Sequence, residues 1–139
     1  MISANIIIDL VNNALKNGGD TLFVGREHQY GYIVGDGKMG LKFPVNSIDK
    51  LCVTDLADSM SVLVKLIHIT RYWKALGYDT VGTWVHEGTL YLDPGTFFDW
   101  DSEHLAIACG KARNEIAIWD NLDNVEIVID GSDNSARDV

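Results

Sequence analysis

The sequence predicts an α+β fold in which an antiparallel sheet of short hairpins packs against one long central helix and two shorter helices. Helical periodicity is confined to three segments, and strand-like runs separated by turn residues lie between and after them. Short connections join antiparallel strands, whereas a parallel sheet needs long crossovers. The length of 139 residues fits one domain, which we assign to residues 1–130, with residues 131–139 as a frayed acidic tail.

The first helix is predicted over Asn5–Lys16, where apolar residues recur with the helical period. These apolar positions are Ile7, Leu10, Val11, Ala14 and Leu15. Gly18 and Gly19 should end the helix, because glycine readily adopts the left-handed conformation that follows a helix.

Three short strands are predicted next, over Thr21–Val24, Gln29–Val34 and Met39–Val45. The first two flank a turn at residues 25–28, and Asp36-Gly37 is typical of a hairpin turn between the second and third. Because Pro44 has no N–H to donate, it should lie at a strand end or on an edge of the sheet.

The long helix is predicted over Leu56–Leu76, with Asp55 as its N-cap and Gly77 just past its end. Its apolar stripe consists of Met60, Leu63, Val64, Ile67 and Trp73, with Leu56 and Leu76 at its ends. We expect this helix to lie across the sheet and Trp73 to be largely buried.

A second hairpin is predicted from Val81–Val85 and Thr89–Asp93, which would place Trp84 opposite Tyr91. Residues 93–95, Asp-Pro-Gly, are typical of a turn that ends this hairpin.

The third helix is predicted over Glu103–Lys111, capped by Asp101 or Ser102. Its expected inner face consists of Leu105, Ala108, Cys109 and Ala112. The last two strands are predicted over Glu115–Trp119 and Val125–Ile129.

The net charge of -9 is unevenly distributed along the chain. Residues 1–78 carry 7 acidic and 8 basic residues, whereas residues 79–139 carry 13 acidic and 3 basic residues. Such a field repels nucleic acid, whose binding depends on Lys and Arg, and it attracts basic surfaces. The sequence therefore predicts a basic protein surface as partner and excludes direct nucleic-acid binding.

The chain has no apolar run of the roughly 20 residues that a bilayer span requires, and its first residues lack a basic signal-peptide region. We therefore expect a cytoplasmic protein that does not bind a membrane. The two cysteines, Cys52 and Cys109, are expected to be reduced, buried and inert in that compartment.

No motif in the sequence specifies a reaction, a cofactor or a metal. The histidines do not fall at the spacing of helical metal ligands, the cysteines form no C-x-x-C pair, and there is no G-x-S-x-G motif. The alternative to a binding protein is a small-molecule or metal-dependent enzyme or sensor. It would require that His86, Glu87, Asp93 and His104 converge in the fold.

One segment, residues 84–104, mixes aromatic and acidic side chains without any Lys or Arg. Aromatic faces and carboxylates both bind guanidinium and ammonium groups, by cation–π contact and by charged hydrogen bonds. The predicted partner-binding residues are Asp93, Asp99, Trp100, Asp101 and Glu103. The simpler interpretation is that the aromatics belong to the core and the acids only keep the protein soluble.

Several short patterns in the chain resemble small, mostly uncharacterised phage-encoded accessory proteins. They are Gly18-Gly19, Gly31-Tyr-Ile-Val-Gly35, Val81-Gly-Thr-Trp84, Gly88-x-x-Tyr-x-Asp93, Ala106-x-x-x-Gly110 and Glu115-Ile-Ala-Ile-Trp-Asp120. The resemblance implies a protein made in an infected or lysogenic bacterium. By analogy, it implies an inhibitor of a nucleic-acid-binding host defence enzyme, such as a restriction or CRISPR effector.

The sequence leaves monomer and dimer open. Because the acidic half of the chain repels its own copy, a dimer should use the near-neutral N-terminal half, through Ile7–Leu15 or the first hairpins.

Overall fold

A computed structural model describes residues 3–25, 27, 29–45 and 56–129, with only the backbone described for residues 56–62. The described residues form the helices α1 (Ala4–Asn17), α2 (Leu56–Ala75) and α3 (Glu103–Ala112). They also form the seven strands β1 (Gly19–Phe23), β2 (Gly31–Gly35), β3 (Leu41–Pro44), β4 (Thr80–His86), β5 (Thr89–Asp99), β6 (Ala117–Asp120) and β7 (Val125–Val128). The described elements follow the predicted order, with three strands after α1 and two after each later helix.

The seven strands form one antiparallel sheet in the order β1-β4-β5-β2-β6-β7, and β3 also pairs with β5. The long strand β5 lies at the centre of the sheet. Along one edge it pairs with β4, and along its other edge it pairs first with β3 and then with β2. The α+β class and the antiparallel sheet are therefore confirmed. Pro44 ends β3 opposite Thr89, as its missing N–H predicts.

Two pairings expected from chain neighbours are wrong. β1 does not pair with β2 across residues 25–28, because β1 pairs with β4 and β2 pairs with β5 and β6. Asp36-Gly37 does not form a hairpin between β2 and β3, since residues 37–39 make a single 3-10 turn and both strands run along β5. Long-range pairing with β5 thus prevails over the local turn signal.

The expected turn at residues 93–95 is also wrong, because these residues lie inside β5. Pro94 is tolerated there for a geometric reason. Its carbonyl accepts a hydrogen bond from the Asp36 N–H (2.8 Å), so the nitrogen of Pro94 faces the same side. On that side the 3-10 turn separates β2 from β3, and the sheet needs no donor at that point.

The hairpin between β4 and β5 is confirmed. Trp84 pairs with Tyr91, and their rings stack with centroids 4.9 Å apart and planes 11° apart. The turn between the strands places Glu87 (φ 48°) and Gly88 (φ 75°) in the left-handed region, which is the geometry of a tight two-residue hairpin turn.

The three helices all pack on one face of the sheet. Side chains alternate between faces along a strand, so Leu90, Leu92 and Phe98 of β5 point the same way. The two leucines belong to the core that α1 and α2 cover, and Phe98 packs in a second core beneath α3. Among the described elements, no helix covers the opposite face.

α1 confirms the sequence interpretation in detail. Ile7, Leu10, Val11 and Ala14 are buried in the core, and Gly18 caps the helix through a hydrogen bond to the Ala14 carbonyl (2.8 Å). Because this apolar face is used inside the molecule, it is not available as the dimer interface expected through Ile7–Leu15.

α2 is present and ends before Gly77 as expected, but its buried stripe is rotated from the predicted one. Trp73 is 1% exposed, and Leu63 is also buried. Val64, however, is 45% exposed, while the unpredicted Leu66 and Thr70 are fully buried. α2 shares the core with α1 rather than filling it alone, and its expected position as a single central helix is not confirmed.

α3 turns a different face inward from the one expected. Leu105, Ala108 and Ala112 are exposed and Cys109 is half-buried, while Ala106 and Gly110 are buried. Small residues allow the helix to approach the sheet closely. A Cβ added at Gly110 would lie 3.0 Å from Cγ2 of Ile118 and still closer to Ile129. The small size of Ala106 and Gly110, rather than side-chain hydropathy, thus determines which face of α3 packs on the sheet.

None of the helices in the described part of the chain has the length and apolar character to cross a membrane. Cys109 is a free thiol, whereas Cys52, the N-cap Asp55 and the predicted tail lie outside the described residues.

Candidate functional site

Four of the five predicted partner-binding residues lie together where β5 ends and α3 begins. Asp99, Trp100, Asp101 and Glu103 are all exposed there, and Trp100 retains 50% of its surface. The connection is tight, because the Ser102 N–H donates to the Asp99 carbonyl (2.8 Å). We call this group, together with the exposed Asp123, the acidic corner.

The acidic corner is built on Tyr32 of β2. The rings of Tyr32 and Trp100 stack with centroids 5.6 Å apart and planes only 7° apart, which holds the Trp100 side chain in place. The Tyr32 hydroxyl donates to Oε2 of Glu103 (3.3 Å). A half-exposed indole fixed from below is pre-organised to pack against a partner.

Carboxylates from two parts of the chain gather around Tyr32. Burial raises the pKa of its phenol, and the negative charges of Glu103, Asp120 and Asp123 raise it further. Asp120 is buried, and its Oδ1 accepts hydrogen bonds from the N–H groups of Leu122 (2.9 Å) and Asp123 (3.3 Å). Asp120 therefore orders the β6–β7 turn, while Asp123 adds exposed charge to the acidic corner.

Within the described residues, no Lys, Arg or His forms an ion pair with Asp99, Asp101, Glu103 or Asp123. Their charge is therefore left to interact with solvent ions or a partner. Glu103 also has structural roles, since it bonds Tyr32 and lies in the first turn of α3, where a negative charge is favourable.

The prediction that Asp93 belongs with the exposed partner-binding residues is wrong. It lies inside β5 and is only 7% exposed, so it is not part of the exposed acidic corner. Its Oδ1 fills the space above Gly40 on the face of the sheet opposite the helices. The Asp-Pro-Gly sequence suggested an exposed turn, whereas the pairing of β5 with β4 buries this carboxylate.

The residues of the alternative enzyme or sensor site do not converge. His86 and Glu87 lie at the β4–β5 turn, with 61% and 85% of their side chains exposed, and Nε2 of His86 is 3.8 Å from Oε1 of Glu87. His104 is exposed on α3, beyond the far end of β5. The eleven residues of β5 between them span roughly 33 Å at 3.3 Å per residue.

Metal binding and thiol chemistry also lack support in the described part of the chain. No group of three or more His, Cys, Asp or Glu residues there has the arrangement of a metal site. Burial raises the pKa of the Cys109 thiol, so the reactive thiolate is disfavoured. Cys109 is a half-buried residue of α3 that packs against the second core, so the predicted burial is only partial.

A groove of about 730 Å³ lies on the sheet face opposite the helices. Its lining extends from Gly19 and Thr21 of β1 to Glu126 of β7, the two ends of the sheet path. On a flat sheet these strands would lie about 24 Å apart, at about 4.8 Å per strand. The sheet therefore curves around the groove, with glycines along its floor and Trp84 and Trp119 among its walls.

The sequence interpretation missed the groove, and at the acidic corner it missed Asp123 and the supporting Tyr32. Tyr32 and Asp123 come from segments about 70 and 20 residues from Glu103, so no local pattern connects them to it. The alternation within β4 does carry a signal for the groove. Thr80, Gly82 and Trp84 share one face, and a glycine within a strand can mark a site that a ligand approaches closely.

Comparison of the chain with protein-family profiles, curated protein sequences and solved structures finds no match. The resemblance to phage accessory proteins stays a prediction. Function has to be inferred from the acidic corner and the groove themselves.

Proposed function

We propose that the protein is a non-enzymatic binding protein whose acidic corner docks on a basic surface of another protein. The observation that carries this proposal is the gathering of Asp99, Asp101, Glu103 and Asp123 around an exposed, stacked Trp100, with no described cation pairing with them. Carboxylates speed the encounter with a basic surface, and a buried tryptophan supplies affinity once the two surfaces meet.

The geometry favours arginine and lysine as the groups recognised. Carboxylates accept paired hydrogen bonds from guanidinium groups, and the free indole face can stack on the same groups. A nucleic acid is not a suitable partner, because its phosphates would meet these carboxylates directly.

The most specific form of this proposal, its sharpest form, names both molecules. The partner is a nucleic-acid-binding enzyme of a bacterial host, such as a restriction or CRISPR effector, and the protein is a phage-encoded inhibitor. The clustered carboxylates would then occupy a basic channel in place of phosphates. The support for this form is the charge pattern and the resemblance of the sequence to phage accessory proteins.

Capture of partners from a bacterial lysate tests the proposal. We expect the wild-type protein to retain a basic protein that the double variant Asp99→Lys plus Asp101→Lys does not retain. Added DNA or RNA should displace that protein if the sharpest form is correct. Asp99 and Asp101 are chosen because Glu103 also bonds Tyr32, so its replacement would disturb the fold.

The matched control is Asp9→Lys plus Glu87→Lys, which changes the net charge by the same amount at exposed positions away from the acidic corner. It should capture the partner as the wild type does. The proposal fails if no basic partner is retained, or if both double variants lose binding equally.

A further inference from the structure

We propose that the groove on the sheet face opposite α1, α2 and α3 is a second binding site, specific for a guanidinium or primary ammonium group. This site is distinct from the acidic corner, and it would bind a molecule of the size of an arginine derivative or a polyamine. The volume of about 730 Å³ lies within the range of known ligand sites and is far larger than a single ion requires.

The groups that line the groove determine the charge of its ligand. Asp20, Asp93, Glu115 and Glu126 contribute to the lining, and its described residues include no Lys, Arg or His. Two of these carboxylates are deep in the structure, since Asp93 is 7% and Glu115 5% exposed. An anion would be repelled, whereas a cation would be attracted in a partly water-excluded space.

An unsatisfied hydroxyl gives independent support. Thr80 is 1% exposed and lies in the groove lining, and its Oγ1 has no hydrogen-bond partner among the described residues. A buried polar group without a partner destabilises the fold, and a bound molecule that donates to the Thr80 hydroxyl would remove that cost. As a hydroxyl it can accept a hydrogen bond from an N–H group of the ligand.

The aromatic walls suit the same ligand. Trp84 stacks on Tyr91 and so has a fixed orientation, and Trp119 lies on the other side of the groove, in β6. Indole faces attract guanidinium and ammonium groups. Carboxylates, a hydroxyl acceptor and indole rings in one concave space together match a cationic N–H donor.

Gly82 provides a test that leaves the fold intact. A Cβ at this position would contact only the Asp93 carbonyl oxygen, at an ordinary 3.9 Å, so the space above Gly82 is open. Gly82→Val therefore places a side chain on the floor of the groove, and its Cβ enters without a clash. It should also preserve or raise stability, because valine suits a strand better than glycine does.

The experiment is a calorimetric and tryptophan-fluorescence titration of the full chain. The probes are agmatine and spermidine as free cations, a blocked Gly-Arg-Gly peptide as a protein-borne cation, and inorganic sulfate as an anion. We expect saturable binding of at least one cationic probe, no binding of sulfate, and at least a tenfold loss of affinity in Gly82→Val. Binding of the free cations alone identifies a small-molecule site, and binding of the peptide alone identifies a side-chain site.

Two further variants separate this site from general charge effects. Glu126→Gln should weaken binding, whereas Glu87→Gln, which removes the same charge from the distant β4–β5 turn, should not. The double variant Asp99→Asn plus Asp101→Asn should bind the probes normally, which separates this proposal from that for the acidic corner. The proposal is overturned if no cationic probe saturates in the millimolar range, or if a folded Gly82→Val variant binds as tightly as the wild type.

Discussion

At the scale of single residues, one cluster connects the two cores of the molecule. The Arg113 guanidinium donates to the Val34 carbonyl (2.8 Å) and the Thr96 hydroxyl (2.9 Å), and it lies 3.9 Å from Asp36 and 5.4 Å from the centre of the Tyr78 ring. The Tyr78 hydroxyl donates to Oδ2 of Asp36 (2.6 Å). One side chain thereby connects the end of α3 to β2 and β5.

Replacement of Arg113 by methionine should lower the free energy of unfolding by about 2–3 kcal/mol. It removes two hydrogen bonds from a charged donor and leaves the Asp36 carboxylate without its cation. Lys111→Met, at an exposed site in α3, should change stability by less than about 0.5 kcal/mol. Urea unfolding measures both, and equal effects of the two substitutions would show that the cluster contributes nothing.

Stability should also fall at alkaline pH. The hydrogen bond to Asp36 raises the pKa of Tyr78, and burial raises the pKa values of Tyr32 and Cys109. The folded state thus holds these protons more tightly than the unfolded chain does. The resulting stability is fully present below the ordinary values of 9.0 for the thiol and 10.0 for the phenols, and it is lost as the pH rises through the higher folded values.

Urea unfolding at about pH 8 and about pH 10.5 measures this loss. The double variant Tyr32→Phe plus Tyr78→Phe should show a smaller decrease between the two conditions than the wild type. An identical decrease in both proteins would mean that the two phenols make no contribution.

At the scale of the elements, the sequence predicts each helix and strand better than it predicts which strands pair in the sheet. Periodicity locates all three helices and the β4–β5 hairpin, because those signals are carried by neighbouring residues. The pairing of β2 with β5 and β6 connects residues at least 60 positions apart, and no local pattern encodes it. The same reasoning explains why Asp93 was expected in an exposed turn and why Tyr32 was not connected to Glu103.

The inner face of α3 offers an element-level test. A Gly→Ala substitution at an exposed helical position raises the free energy of unfolding by up to about 1 kcal/mol. A Cβ at Gly110, however, would lie only 3.0 Å from Cγ2 of Ile118. We therefore expect Gly110→Ala to destabilise the protein. Ala108→Gly, on the exposed face of the same helix, should cost about 1 kcal/mol through propensity alone. A more stable Gly110→Ala variant would contradict the close packing of α3.

The β4–β5 turn offers a second test. Glu87 has a φ of 48°, which an ordinary side chain adopts at a cost and which asparagine tolerates better. Glu87→Asn should therefore raise the free energy of unfolding by about 0.4–1 kcal/mol. Glu87→Ala is the control, since it removes the same charge but does not favour the positive φ as asparagine does. Equal stability of the two variants would argue against the turn geometry.

At the scale of the whole molecule, folding redistributes the charge that is uneven along the sequence. The acidic second half of the chain supplies β4 and β5, and these two strands lie between β1 and β2 from the near-neutral first half. The acidic half is therefore not a separate lobe. Among the described residues, exposed carboxylates gather at the acidic corner, while the buried Asp93 and Glu115 line the groove.

We propose that the acidic corner, rather than net charge in general, guides the protein to its partner. The most direct test of this claim is the association rate constant with the captured partner, measured at increasing salt concentration. Wild type and the Asp9→Lys plus Glu87→Lys control should both show a steep decrease with salt, because screening weakens attraction between exposed charges. Asp99→Lys plus Asp101→Lys should associate more slowly and with a much weaker salt dependence. Equal rates and equal salt dependence in the two double variants would contradict the claim.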